Sequence, residues 1–364
     1  MKLWHFQQPV SGGCYQYRDQ QPMDALRARG HEVKTSVDLD ACHPDEWEGF
    51  LFSRVCWGEY PLFVAEIKEC GKPIIYDVDD AWDQLAGWYP EWLDCQSQLP
   101  SYYYFLHEAT LVTTTTDRLA AHLRGLGAKR VVVLPNCCHP TLGWQMPSEK
   151  VVPRVGFIGA VGHLDDVCVL LDAAVQAREQ VAFELVVMGL GLQPGDTFDD
   201  FMYRSASDMP HRHRDWLPVI DRFANAMHRA IQSPLAATWL PTAPTAEYWA
   251  TIRGLDLDIG CLPLTDTRFN RCKSFSKFYE YAALGSLTLA SPLLGTGEPV
   301  VTVYPNTVDE WAARLVWWVQ ETNLRRTLAA SQQAWVQGAR DHRTWAAIRE
   351  RSYRLVVHEA AVCA

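Results

Sequence analysis

Lys273, Lys277 and Glu280 stand at i, i+4 and i+7 in the run Lys273-Ser274-Phe275-Ser276-Lys277-Phe278-Tyr279-Glu280. On a single helix that spacing puts all three on one face. An apolar run, Leu257–Leu262, comes before them, followed by Pro263-Leu264 and a polar loop holding Phe269-Asn270. The pattern predicts a strand, a loop and a helix that starts near Lys273. The first amides of a helix lack partners within it and carry the positive end of its dipole, so such a turn suits a diphosphate. Two ammonium groups would neutralise phosphate charge, and a carboxylate two turns in would accept hydrogen bonds from ribose hydroxyls. The same spacing also fits an ion-pair ladder between Lys277 and Glu280 on a wet surface, which contributes little.

A second group is acidic and aromatic. Asp77, Asp79 and Asp80 follow the apolar run Ile74-Ile75-Tyr76. Carboxylates at a strand end can hold Mg²⁺, face an acceptor with Asp79 as a base, or cap the next helix. The reading adopted is the acceptor-facing one, with no metal. Arg54, at the end of Phe50–Val55, either points into the same cleft or pairs with an acid. Trp82, Trp88, Tyr89, Trp92 and Tyr102 to Phe105 form an aromatic stretch. Its rings either pack in a core or form a platform for stacking an acceptor. Arg54, Asp77, Asp80 and Trp82 are the acceptor-binding candidates. His139, His211, His213 and His342 have no metal-like spacing.

These groups need a scaffold that brings strand ends together. Short apolar runs alternate with helical patterns along the chain, the signature of parallel βαβ units. One series runs from Lys2–Phe6 to Val131–Leu134, and a second from Val155–Ile158 to Leu287–Ala290, followed by helices. Cys137–Pro153, with three prolines and no period, reads as a linker. The expected division is residues 1–150 for the acceptor, 151–340 for the donor, and 341–364 as a final helix. Residues 191–235 read as a helical insertion rich in His and Arg, with charges facing water or gripping a partner.

Composition sets the outer limits. The chain has 364 residues, 33 basic against 43 acidic, for a net charge of −10. That argues against a uniformly basic nucleic-acid coat but leaves room for a local groove. At 48% hydrophobic and 21% charged it is no disordered chain. There is no apolar run of membrane-helix length and no apolar leader, so the expected location is cytoplasmic. Eleven cysteines, none spaced Cys-x-x-Cys, fit reduced thiols better than disulfides or zinc.

Taken in chain order, these pieces resemble the GT-B glycosyltransferases, particularly the large retaining family 4. The resemblance rests on Pro263-Leu264, Phe269-Asn270, Lys273-Ser274, Glu280-Tyr281 and Gly285 in the donor segment. Ser11-Gly12-Gly13 is similar to the family's first glycine loop, and Thr113–Thr116 with Asp117-Arg118-Leu119 to its Thr-rich strand and helix. Val133-Leu134-Pro135-Asn136 resembles the stretch before the interdomain linker. Val155–Gly159 with His163 and Asp165-Asp166 resembles the start of the second domain, and Asp309-Glu310-Trp311 a late helix. Each motif alone is weak, but their shared order covers residues 1 to 355.

The resemblance implies two Rossmann-like doubly wound domains facing a cleft, with a last helix crossing back. It implies no cofactor and a nucleoside-diphosphate sugar, UDP- or GDP-linked, held by Gly12, Gly13, His163, Asn270, Lys273, Ser274, Lys277 and Glu280. Lys273 and Asp79 would be the catalytic groups. The sugar would pass, with retention, to a hydroxyl of a glycan or polysaccharide precursor. A hydroxylated base in DNA is the alternative acceptor, and a silent nucleotide-sugar binder the alternative role. Two departures stand out. The family's first Glu, eight positions before the second, is Cys272 here, and its phosphate-binding Arg/Lys pair has no match near His163. Lys273 and Lys277 would take over that neutralising role.

Overall fold

In the computed structural model the strands form two six-stranded sheets, each parallel throughout. The structure describes residues 1–7, 15–54, 60–89, 92–138, 143–207, 215–232, 237–294 and 297–363. The first sheet holds β1 (Lys2–Phe6), β2 (Glu32–Ser36), β3 (Gly49–Ser53), β4 (Ile74–Val78), β5 (Leu111–Thr114) and β6 (Val131–Val133), in the order β2-β1-β3-β4-β5-β6. The second holds β7 (Arg154–Gly159), β8 (Glu184–Gly189), β9 (Thr238–Leu240), β10 (Ile259–Leu262), β11 (Leu287–Ala290) and β12 (Val301–Thr302), in the order β12-β11-β10-β7-β8-β9. The expected α/β class of two doubly wound sheets is what the chain adopts.

Helices on both faces explain why the central strands read as unbroken apolar runs. Trp4, Phe6, Phe50, Phe52 and Phe105 cluster on one face of the first sheet, with the Phe6 and Phe52 rings stacked 4.8 Å apart. Leu3, Leu51, Ile75 and Leu111 alternate onto the other face. There they meet Met23 and Leu26 of the helix Gln21–Ala28, and Tyr353 and Val356 of the last helix, His342–Cys363. Burying each large apolar side chain contributes roughly 1.5–3 kcal/mol. Ion pairs Arg29–Glu350 and Arg130–Glu359 flank that last helix. Among the described residues, no helix is long and apolar enough to cross a membrane.

The strand orders fix where ligands can enter. Each parallel sheet has a switch point where successive crossovers turn to opposite sides, and the crevice beyond the strand ends there receives ligands. Here the switches lie between β1 and β3 and between β7 and β10.

Two expectations need correction. No single helix carries Lys273, Lys277 and Glu280. A short helix, Arg268–Cys272, is capped by Thr267, whose side chain accepts from the Asn270 amide, and Lys273 ends it in extended geometry. The next helix starts only at Ser276 and runs to Ala283. The reason is tertiary: Phe269 and Cys272 are buried in the aromatic core of the first half, so the chain turns away there before resuming. The second correction concerns residues 191–235. Two parallel neighbours, β8 and β9, need a crossover, and the helix Trp216–Gln232 supplies it, burying Val219, Ile220 and Phe223 in the same core as Leu170 and Leu171. Only the helix Phe198–Ser207 and its connection are additional, and His211, Arg212, His213 and Arg214 lie outside the described residues. Of the two readings left open for the aromatic stretch, core packing is the one the helix Trp92–Glu108 adopts at its buried positions, with a proline tolerated at position 100. Tyr102 and Phe105 are core.

Candidate functional site

The carboxyl ends of the two sheets meet across a polar seam. Beyond β4, Asp80 lies 3.8 Å from Lys273 of the other half. Thr116, after β5, donates its hydroxyl to the Cys272 carbonyl at 3.1 Å, and Asn136, after β6, donates to Ser274 Oγ at 3.0 Å. Tyr89 packs on Phe269 with centroids 5.4 Å apart and sits against Gly162, where any side chain would strike the tyrosine ring.

On the second sheet the strand ends enclose a cavity of about 800 Å³. Its wall includes Gly159 at the end of β7 and Ala160 after it, Met188 and Gly189 at the end of β8, Thr242 to Thr245 after β9, and Tyr248 and Lys277. Gln16 of the first half also lines it. Gly189 has φ +94°, and a Cβ there would sit 2.2 Å from the Gly159 carbonyl oxygen, so only glycine lets β7 and β8 end this close together.

Behind the cavity wall, Glu280 is buried, 1% exposed. Its Oε2 accepts from Tyr248 Oη at 2.7 Å and from Lys277 Nζ at 2.9 Å, while its Oε1 accepts from Tyr17 Oη at 2.8 Å. Lys277 also donates to Tyr248 Oη at 2.5 Å. The Lys277–Glu280 pair therefore exists, but it is no surface ladder. Burial, with the Glu280 charge alongside, raises both phenols well above their ordinary range and keeps them protonated donors.

His163, Asn270 and Thr265 are tied together by Asp166. Its buried carboxylate accepts from His163 Nδ1 at 2.7 Å, Asn270 Nδ2 at 2.9 Å, and both the amide and hydroxyl of Thr265 at 2.7 and 2.6 Å. Asn270 and His163 thus lie close together at the second switch point.

Across the seam, Arg54 pairs with Asp79 at 2.8 Å, reaches Asp80 at 4.0 Å and lies over the Trp82 ring at 4.7 Å. Arg54 has φ +56°, the left-handed region that costs a residue with a Cβ about 1–2 kcal/mol. Arg54 thus pairs with an acid while lying at the seam beside Asp80 and Trp82, so the two alternatives for it do not exclude each other. Lys273 lies over Phe269 at 4.4 Å. Burial raises the Asp80 carboxyl above its ordinary range; the Lys273 charge pulls it down and Asp79 pushes it up. Asp77 has a different environment from the acceptor face expected of it. It is buried, with Arg18 bidentate at 2.8 and 2.5 Å and the Thr113 hydroxyl at 2.5 Å. Although burial raises it, Arg18 and Thr113 hold its pKa below the usual range. Gly12 and Gly13 lie outside the described residues.

Tyr17, Tyr248 and Asp166 stand at the centre of this arrangement and were not site candidates in the sequence. Asp166, three residues after His163 where a helix begins, carried a legible spacing; the two tyrosines carried none.

No family model matches the sequence, and no curated protein is similar to it. Solved structures are similar in fold. A sucrose-phosphate synthase from Thermosynechococcus elongatus superposes with a TM-score of 0.66 at 14% identity, covering 99% of this chain and 100% of that one. HepE from Anabaena, in complex with UDP and glucose, gives 0.62 at 15% identity, over 97% and 99% of the two chains. A trehalose-6-phosphate synthase, from work on enzymatic glycosyltransfer with retention, gives 0.58 at 13%, over 97% and 93%. The chain has the GT-B fold.

Proposed function

We propose that the protein is a glycosyltransferase that moves a sugar from a nucleoside-diphosphate sugar to a hydroxyl acceptor. One observation carries the reading: the 800 Å³ cavity at the second sheet's strand ends is walled by Lys277, in the first turn of the helix Ser276–Ala283. No side chain caps that helix start, so its first amides and dipole face a site suited to diphosphate. The likeness to HepE, which carries UDP, supports a uridine nucleotide, and the likeness to a retaining synthase supports retention.

In this reading the nucleotide lies in the cavity and the departing diphosphate lies between the helix start and Lys273. The acceptor oxygen bonds to the anomeric carbon, the bond from that carbon to the phosphate oxygen breaks, and the acceptor proton passes to the departing diphosphate. Lys273 and Lys277 stabilise the charge that grows on that group. Asn270, held by Asp166, and Ser274, held by Asn136, shape the phosphate side. Such a proton path needs no separate base. Asp79, committed to Arg54, orients that guanidinium, while Asp80, Arg54 and Trp82 form the acceptor wall. The acceptor is a hydroxyl of a glycan or glycan precursor.

A thermal-shift panel of UDP, GDP, ADP, TDP and CMP tests the donor site. A ligand that binds only the native state adds about 2.7 kcal/mol at a hundredfold excess over Kd. We expect UDP alone to raise the midpoint, and Lys277→Ala to abolish most of that rise. Equal shifts in wild type and Lys277→Ala would remove the diphosphate from this wall. Cys272, buried in the first core where a carboxylate was expected, favours the rival role of a silent binder. Release of UDP from a UDP-sugar without acceptor argues against it; tight binding with no release on any acceptor argues for it.

A further inference from the structure

We propose that the Tyr17 hydroxyl holds, on Glu280, the place a ribose hydroxyl takes when a nucleotide binds, so that nucleotide entry is an exchange of one O–H donor for another. The inference rests on the nucleotide-sugar reading and adds to it a residue of the opposite half.

The Glu280 carboxylate sits just behind the cavity wall with its two oxygens unequally served. Oε2 takes two donors, Tyr248 and Lys277, both of which line the cavity. Oε1 takes Tyr17 at 2.8 Å. A carboxylate accepting from two hydroxyls, one on each oxygen, is also how it would hold a vicinal diol. Tyr17 and Tyr248 together present that pair of hydroxyls. Of the two, Tyr17 is the exchangeable one. It comes from the first half, in the turn Gln16–Gln20, and its neighbour Gln16 already faces the cavity. Tyr248 is anchored in the second half by its own helix, Tyr248–Gly254, and by the Lys277 ammonium.

The physical consequence is specific. Trading a phenol O–H for a ribose O–H leaves the hydrogen-bond count on Glu280 unchanged, so wild-type protein gains little from the diol. Removing the phenol O–H leaves a buried carboxylate oxygen short of a donor, an expensive state that a ribose would relieve. The seam contact Tyr17–Glu280 and the bound ribose are then mutually exclusive, and nucleotide binding frees the first half from one of its ties to the second.

The test is calorimetric titration of wild type, Tyr17→Phe and Tyr17→Met with UDP and GDP and with their 2′,3′-dideoxy analogues. For the nucleotide that binds, both variants should bind the ribose form about tenfold tighter than wild type and the dideoxy form within about twofold of it. Thermal melting of each unliganded variant shows that it is folded, and two apolar replacements guard against one failing to fold. Equal gains for ribose and dideoxy forms, no gain, or weaker binding would overturn the exchange while leaving the donor site in place. Absence of binding by any nucleotide to wild type or variants would overturn the donor reading, and the exchange with it.

Discussion

Lys273→Ala is expected to lower kcat by about 10²–10³-fold while nucleotide affinity changes by less than about fivefold. Lys273 does not line the nucleotide cavity. Its ammonium lies where the two halves touch, over the Phe269 ring at 4.4 Å and 3.8 Å from Asp80. It is 15% exposed, so water screens it weakly. A charge fixed there acts on the group that becomes anionic as the sugar leaves, and only interactions stronger in the transition state than in the ground state raise kcat. Lys273→Arg should restore part of the rate because it keeps the charge. The variant should also change the pH profile: without the Lys273 charge, the burial that already lifts Asp80 meets less opposition, and Asp80 stays protonated to a higher pH. Single-turnover rates with a UDP-sugar at saturation check the first claim, and their pH dependence the second. Turnover within threefold of wild type would assign the charge elsewhere, with Lys277 as the next candidate.

The fold was legible because its signals are local. Runs such as Phe50–Phe52 and Val155–Ile158, punctuated by helical periods, require a parallel sheet whatever their partners. What the local pattern could not convey is where the halves touch. Lys273, Lys277 and Glu280 look like one helical face until Phe269 and Cys272 are drawn into the first half's core, an effect of residues nearly two hundred positions away. The same holds for Glu280: its carboxylate was recognisable, but its partner Tyr17 lies at the other end of the chain and follows no spacing rule. The strand-end acids show the limit from another side. Asp77, Asp79 and Asp80 are equivalent in sequence, yet strand alternation and the positions of Arg18, Arg54 and Lys273 give them three different environments. Residues 191–235 read as helical and are so over Phe198–Ser207 and Trp216–Gln232, but that the second helix is a crossover and no addition follows only from the parallel pairing of β8 with β9.

Arg18→Met is expected to destabilise the protein by about 3–5 kcal/mol at neutral pH, because it strands a buried charge. The Arg18 guanidinium is fully buried and each of its three nitrogens donates: two bonds to Asp77, one to the Leu134 carbonyl at 2.6 Å and one to Asn136 Oδ1 at 3.2 Å. It fastens the end of β4 to the exit of β6, and through Asn136 to Ser274 on the donor loop. Removing it leaves the Asp77 carboxylate with the Thr113 hydroxyl and the more distant Arg349. The sign of the pH effect follows. In wild type the Asp77 pKa is lowered, so its contribution is present above the unfolded carboxylate range and is lost as pH falls through its folded value. In Arg18→Met the unpaired, buried Asp77 is raised instead, so that variant is penalised at neutral pH and recovers as acid protonates the group. The stability gap between the two proteins should therefore narrow from pH 7 towards pH 4, as measured by urea unfolding. Adding Asp77→Asn to Arg18→Met removes the stranded charge while leaving an acceptor for Thr113, and should recover at least half of the loss at pH 7. A gap that is constant with pH, with no recovery in the double variant, would mean that Arg18 acts by packing alone and that the Asp77 charge is not what it holds in place.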